Sequence, residues 1–312
     1  MSRLLGFVGR TLIVAGLFIL GFVAYQLWGT SLEEGRNQDE LTSSLARTAT
    51  GRDGIDLDAA TVDVDTLAGA LAKVDPATAP AQATPAEGDP IGVIEIPRID
   101  LQRVIVEGVA KPDLKKGPGH YPGTPLPGQA GNSGIAGHRT TYGAPFNRID
   151  EILPGDEIII TTQQGRFVYT AIPGPDAGQA AYIVAPDDVS VLEDKGDNRI
   201  TLTACHPKYS ARQRIIVNAV LAAPPAATTP PSARSERAAQ QASAQFDESL
   251  SGDPEALPRA IAFGAAALAV GLLAWFVGRR WRRWPAYLVA TPVVLVLVWC
   301  CYVYLDRYLP AL

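Results

Sequence analysis

Cysteine, histidine and methionine are scarce in this 312-residue chain, which holds three, three and one of them. Three thiols cannot build a disulfide framework, and without a Cys-x-x-Cys pair a metal site would lack ligands. No Gly-rich phosphate loop is present, so nucleotide chemistry has no motif to rest on. Basic charge is in deficit as well. With 27 Lys and Arg against 32 Asp and Glu, the net charge of −5 excludes the electrostatic footprint of a nucleic-acid binder. No internal repeat is evident, which excludes a solenoid.

Long apolar runs, in contrast, occur three times. Leu12 to Trp28 reads LIVAGLFILGFVAYQLW, 17 uncharged residues that just suffice to cross a hydrocarbon core of about 30 Å. Arg3 and Arg10 precede it. Only Gln26, Leu27, Trp28 and Gly29 stand where a small-x-small cleavage site would be, so the run reads as an anchor rather than a removed signal peptide. Residues 260–278 and 285–305 are the other two runs, separated by a loop carrying Arg279, Arg280, Arg282 and Arg283. Such arginines belong in the cytoplasm, as do Arg3 and Arg10.

The two basic clusters give one topology. Residues 1–11 lie inside, 12–28 span, 29–258 lie outside, 260–278 span, 279–284 form a cytoplasmic loop, 285–305 span, and the tail 306–312 is outside. The expectation is a multi-pass protein of the cell membrane with an extracellular working domain. Trp281, Trp284, Trp299, Tyr302 and Tyr304 fall near span ends, where amphipathic rings prefer the headgroup level. The alternative for the last two runs, a buried helical hairpin, is disfavoured because both approach or exceed 18 apolar residues.

Within the outside segment, residues 29–88 end in DPATAPAQATPAEGDP and have the composition of a flexible tether. Residues 224–258 read the same way. Between them, 89–223 shows eight short runs of strand character: IGVIEI, RVIVEGV, GNSGIAGH, DEIIITT, RFVYTAI, AAYIVA, RITLTAC and RIIVNAVL. Turn signals such as Pro154-Gly155 and Asp197-Asn198 separate them at a spacing that suits a small all-β barrel, with one short helix predicted over 146–152.

Cys300 and Cys301 are adjacent inside the last span and cannot bridge without strain, which leaves Cys205 as an unpaired thiol in an oxidising compartment. Such a thiol is either a nucleophile or a small buried hydrophobe. Alternation along RITLTACHP puts Ile200, Leu202 and Ala204 on one face and Thr201, Thr203 and Cys205 on the other. His206-Pro207 then ends the strand, so Cys205 sits beside a loop.

A thiol with an ordinary pKa of about 8.5 needs a base or a cation nearby to react at neutral pH. His206, adjacent in an extended segment, points to the opposite face. His120, in GPGHYPG, reads as a surface loop residue. His138, at the end of GNSGIAGH, is the preferred partner. Arg212 and Arg214 share strand parity in the segment after the cysteine, and position alone does not choose between them as a source of guanidinium donors. Tyr121, Tyr142 and Thr203 are candidate substrate contacts.

The segments GHYPGTPLPG, GNSGIAGHRTTYGAPFNRIDEILPGDEI and ITLTACHPKYSARQRIIV resemble the sortases, cysteine transpeptidases of Gram-positive cell surfaces, and most closely the class E enzymes of actinobacteria. The resemblance covers residues 90–221. It implies an eight-stranded sortase-type β-barrel with short helices, to which the apolar runs add one N-terminal and two C-terminal transmembrane helices. It further implies Cys205 as nucleophile, His138 as general acid/base and Arg214 as stabiliser of substrate or oxyanion, with no cofactor. The implied partners are secreted proteins bearing a C-terminal Leu-Pro-x-Thr-Gly or Leu-Ala-x-Thr-Gly signal, cut between Thr and Gly, and a peptidoglycan-precursor amine as acceptor. A pilin lysine as acceptor, or a barrel that binds such signals without catalysis, are the alternatives. The family usually has Thr before its cysteine, where this chain has Ala204, and the C-terminal helical pair is not part of the family domain.

Overall fold

A computed structural model describes residues 2–51, 54–175, 178–230, 253–280 and 283–309. Trp281 and Arg282 of the basic loop, residues 231–252 of the second expected linker, and residues 310–312 of the tail lie outside the described residues. The chain divides into two units, residues 1–28 with 251–311, and residues 29–250.

In the first unit, α1 (Ser2–Ala24) is followed by a π-helical turn (Tyr25–Gly29). Two further helices, Ala256–Arg280 and Arg283–Tyr308, pack side by side, with Phe263 stacked on Tyr304 at 5.4 Å. Three helical stretches, Leu12–Ala49, Ala256–Arg280 and Trp284–Tyr308, are long and apolar enough to cross a membrane. Cys300 and Cys301 are both free thiols.

Among its described residues the second unit has nine strands: β1 (Pro90–Ile96), β2 (Leu101–Glu107), β3 (Gly119–His120), β4 (Asn132–Ala136), β5 (Glu157–Thr162), β6 (Gly165–Ala171), β7 (Ala181–Val184), β8 (Arg199–His206) and β9 (Gln213–Leu221). They run in the order β6-β5-β1-β2-β3-β4-β8-β9, and β6 pairs back onto β9. That last ladder closes an eight-stranded barrel, leaving β7 as a flap on the outer edge of β9. Closure removes the exposed edges that an open sheet would offer to other chains.

All eight predicted runs form strands. The ninth, β3, is two residues long and too short for any alternation to reveal it. The helix predicted over 146–152 shrinks to a 3-10 turn, Ile149–Glu151. Inward-facing Ile94, Ile96, Ile105, Ile135, Ile158, Ile160, Phe167, Ile200 and Leu202 are at most 1% exposed and fill the barrel.

The tether expected over 29–88 is corrected by α2 (Thr30–Ala49) and α3 (Val64–Leu71), which pack against the barrel. Leu41 and Leu45 lie four residues apart, as do Leu67 and Leu71, so each pair shares one helical face. That face covers Val93, Val104 and Val106, which point out of the barrel from β1 and β2. β1 is apolar on both faces, and a strand of that kind needs a second layer. The proline-rich stretch after Val74 forms no regular element, and it is tied down by Gln164 donating to the Pro80 carbonyl at 3.1 Å.

Residues 224–230, also expected to be linker, are anchored too. Ala226 is buried in the core cluster, and its N–H donates to the Gly128 carbonyl at 2.8 Å.

Leu45 has no exposed surface, and Leu45→Ala is expected to destabilise the barrel unit by about 2–5 kcal/mol. Chemical denaturation of the detergent-solubilised full chain, followed by barrel tyrosine fluorescence, measures it. A flexible tether would show no change.

Candidate active site

β8 is the strand on which the candidate residues converge. On one side it pairs in parallel with β4, Asn132 opposite Arg199 through to Ala136 opposite Thr203. The Gly137 N–H donates to the Thr203 carbonyl at 3.0 Å, and His138 is the next residue, two beyond the Ala136–Thr203 pair. On the other side β8 pairs antiparallel with β9, and Cys205 stands directly opposite Arg214. Three segments far apart in sequence are thus brought to one end of the barrel by backbone register.

The face alternation read from RITLTACHP holds, with Ile200, Leu202 and Ala204 packed into the barrel core. The opposite face is not open to solvent. Thr201 and Thr203 are buried at 0% and 1% exposure, because a polar layer covers them. Thr201 Oγ1 donates to the Asn132 Oδ1 at 2.8 Å, and Thr203 Oγ1 pairs with the Tyr121 hydroxyl at 2.9 Å. Tyr121 reaches Thr203 by lying across β4, and a Cβ at Gly134 would meet its ring at 2.7 Å. Only glycine at 134 leaves room for that crossing.

Cys205 is half-buried at the strand end. Burial pushes its thiol pKa up, while the guanidinium groups of Arg214 and Arg139 pull it back down. Arg214 is itself buried and fixed, its Nη1 donating to the carbonyls of Gln213 (2.9 Å) and Ala211 (3.2 Å). Arg212 is exposed. Register therefore separates two arginines that strand parity alone could not.

Arg139 was not singled out in the sequence. It is 2% exposed, and its guanidinium bridges Asp150 at 3.0 Å, the Cys205 carbonyl at 3.4 Å and His206 Nδ1 at 2.8 Å. Arginine can only donate, so Nδ1 accepts and the His206 proton sits on Nε2. Burial and the Arg139 cation hold His206 below its usual pKa. The sequence signal was present but weak: an arginine immediately after His138 rides the same strand extension into the site.

His120 is not the surface residue its loop suggested. It is 1% exposed, with Nδ1 at 2.7 Å from Glu107 and Nε2 at 3.0 Å from the Pro125 carbonyl. Burial opposes its charge, but the Glu107 carboxylate outweighs burial and raises its pKa. It serves the loop leading to Tyr121 rather than the thiol. Tyr121 and Tyr142 are also buried, at 4% and 3% exposure. The Tyr142 ring lies 5.3 Å from that of His138.

A thiol, an imidazole and two guanidinium groups at a strand end can carry out acyl transfer: a nucleophile, a proton carrier, and donors for a developing oxyanion. No cluster of His, Cys, Asp or Glu able to hold a metal ion occurs among the described residues.

A model of the Sortase domain family matches residues 94–222. Sortase SrtE1 of Streptomyces coelicolor is 31% identical over 226 residues, which cover 67% of this chain and 55% of that protein. This chain therefore spans little more than half of SrtE1. Sortase D of Bacillus subtilis is 29% identical over 199 residues, covering 63% of this chain and 86% of its own. Among solved structures, sortase E from Streptomyces avermitilis is 36% identical with a TM-score of 0.39, over 45% of this chain and 91% of that one.

If Arg139 holds His206 neutral, Arg139→Gln should let the His206 pKa climb toward the ordinary value of about 6.5. Imidazole NMR titration of the three histidines reads this directly, and an unchanged His206 curve would refute the coupling.

Proposed function

Because this chain carries a sortase-family domain over residues 94–222, we propose that the protein is a membrane-anchored cysteine transpeptidase acting on sorting signals of the Leu-Pro-x-Thr-Gly or Leu-Ala-x-Thr-Gly type. The observation that carries the reading is the direct pairing of Cys205 with Arg214 across β8 and β9, with His138 two residues beyond the last pair, Ala136 with Thr203, of the parallel β4–β8 ladder.

Cys205 is assigned as the nucleophile. Its sulfur attacks the Thr carbonyl carbon, forming a C–S bond while the carbonyl π electrons move onto oxygen. Arg214 donates to that oxygen and favours the thiolate before attack. Collapse of the intermediate breaks the Thr–Gly C–N bond, and His138 gives a proton to the departing glycine amine. The thioacyl enzyme is resolved by an acceptor amine of a peptidoglycan precursor, which forms a new amide, passes a proton to His138 and releases the thiolate.

Arg139 is the second cation beside the sulfur, and its position supports the same thiolate. Tyr121 and Thr203, hydrogen-bonded to each other on the Cys205 face of β8, are 4% and 1% exposed and so support the site from beneath rather than meet the signal. Ala204 points into the core, so the missing family hydroxyl there leaves the reacting face of the strand untouched. The candidate spans and the arginines at 3, 10, 279, 280, 282 and 283 support a catalytic unit outside the membrane. That location matches a substrate pool of secreted proteins and wall precursors.

Three substitutions test the assignment on cleavage of a signal peptide. Cys205→Ala should abolish turnover, with no thioacyl adduct by mass spectrometry. Arg214→Ala should lower kcat by about 10²–10³-fold, in the range of lost oxyanion donors. Arg212→Ala should stay within about twofold, since Arg212 is exposed. Full activity in Cys205→Ala would sink the mechanism.

A further inference from the structure

The loop after His138 holds three consecutive residues in left-handed backbone conformation: Tyr142 at φ +50°, Gly143 at +70° and Ala144 at +45°. For residues with a Cβ this region is disfavoured by about 1–2 kcal/mol each, and it persists only where surrounding contacts enforce it. Part of the enforcement is local, from the Ala144 N–H to the Thr141 carbonyl (2.9 Å) and the Phe146 N–H to the His138 carbonyl (3.1 Å).

The rest comes from α2. The Tyr142 N–H donates to Thr30 Oγ1 at 3.2 Å, and Thr30 is fully buried. One turn along the helix, Glu34 is 3% exposed and is held by Arg103 Nε at 2.8 Å. Its carboxylate presses so close to Gly143 that a Cβ there would fall 2.6 Å from Oε2. Glycine at 143 thus lets the loop seat against the helix.

What this arrangement delivers is the Tyr142 ring. It is 3% exposed, too enclosed to be a substrate contact, and it sits 5.3 Å from the His138 ring at a 34° tilt, an ordinary aromatic packing geometry. Lys115 Nζ lies 4.7 Å over the same ring. An imidazole must keep its orientation to deliver a proton to a leaving amine, and a packed neighbouring ring restricts its rotation.

We propose that Tyr142 is a positioning residue for His138, and that the first turn of α2, through Thr30 and Glu34, locks Tyr142 in place. Helix α2 thereby belongs to the catalytic unit, acting on the histidine through one intervening ring. The inference rests on the acid/base role assigned to His138, but its structural half can be tested without turnover.

The experiment uses the full-length protein in detergent, with Tyr142→Leu, Tyr142→Phe and Thr30→Val. In signal-peptide cleavage, Tyr142→Leu should lower kcat at least tenfold with KM within twofold, while Tyr142→Phe, which keeps the ring, stays near wild type. Thr30→Val should lower kcat about three- to tenfold at an unchanged melting temperature. In parallel, imidazole NMR of the three histidines should show the His138 signal shifted or broadened by Thr30→Val, with His120 and His206 unmoved. Equal kcat for Tyr142→Leu and wild type, or a His138 signal indifferent to Thr30→Val, overturns the proposal. If the wild type cleaves no signal peptide, the functional reading has failed and the NMR arm alone decides this one.

Discussion

Everything at the candidate site depends on one strand being hydrogen-bonded on both edges with opposite polarity. β8 takes β4 in parallel and β9 antiparallel, so the end of β4, the end of β8 and the start of β9 arrive at the same level. Main-chain ladders, not side-chain contacts, set that alignment. A shift of one residue in either ladder would turn Arg214 or His138 to the opposite face from Cys205, since side chains alternate with a period of two. The barrel core, with Ile200 and Leu202 wholly buried, is what forbids such a slip.

The electrostatics of the site follow from the same placement. Burial works against a charged sulfur, and two guanidinium groups work for it. Neither arginine is loosely held: Arg214 is pinned by carbonyls of the β8–β9 turn, and Arg139 by Asp150, His206 and the Cys205 carbonyl. Preorganised cations of this kind need no rearrangement when charge develops. His206, discarded as a base because it points away from Cys205, turns out to be a neutral acceptor that helps hold Arg139.

The strands were readable because alternating or continuous apolar runs bounded by turn residues mark them, and eight of nine were found in that way. β3 escaped because two residues carry no period. The helices of 29–88 escaped for a different reason. Ala, Thr, Asp and Gly dilute the segment until composition suggests a tether, although the paired leucines at 41/45 and 67/71 carry the helical spacing. Arg214 and Arg212 could not be told apart by parity, whereas a register can separate them. Arg139 went unnoticed because an arginine after a strand usually faces water, and only the parallel ladder reveals where this one leads. Likewise His120 and the tyrosines at 121 and 142 lie in turn-rich sequence that signals a surface, yet β4 and α2 roof them over.

The second layer on β1 and β2 bears on how the catalytic unit can be isolated. Val93, Val104 and Val106 form an outward apolar stripe covered by α2, α3 and residues beside them such as Ile55, Val74 and Ala79. A barrel cut free at residue 89, the boundary that composition recommends, would bare that stripe to water and self-associate through it. A piece that keeps the roof begins near Thr30, and aggregation of shorter fragments would report on a missing roof rather than on an unstable barrel.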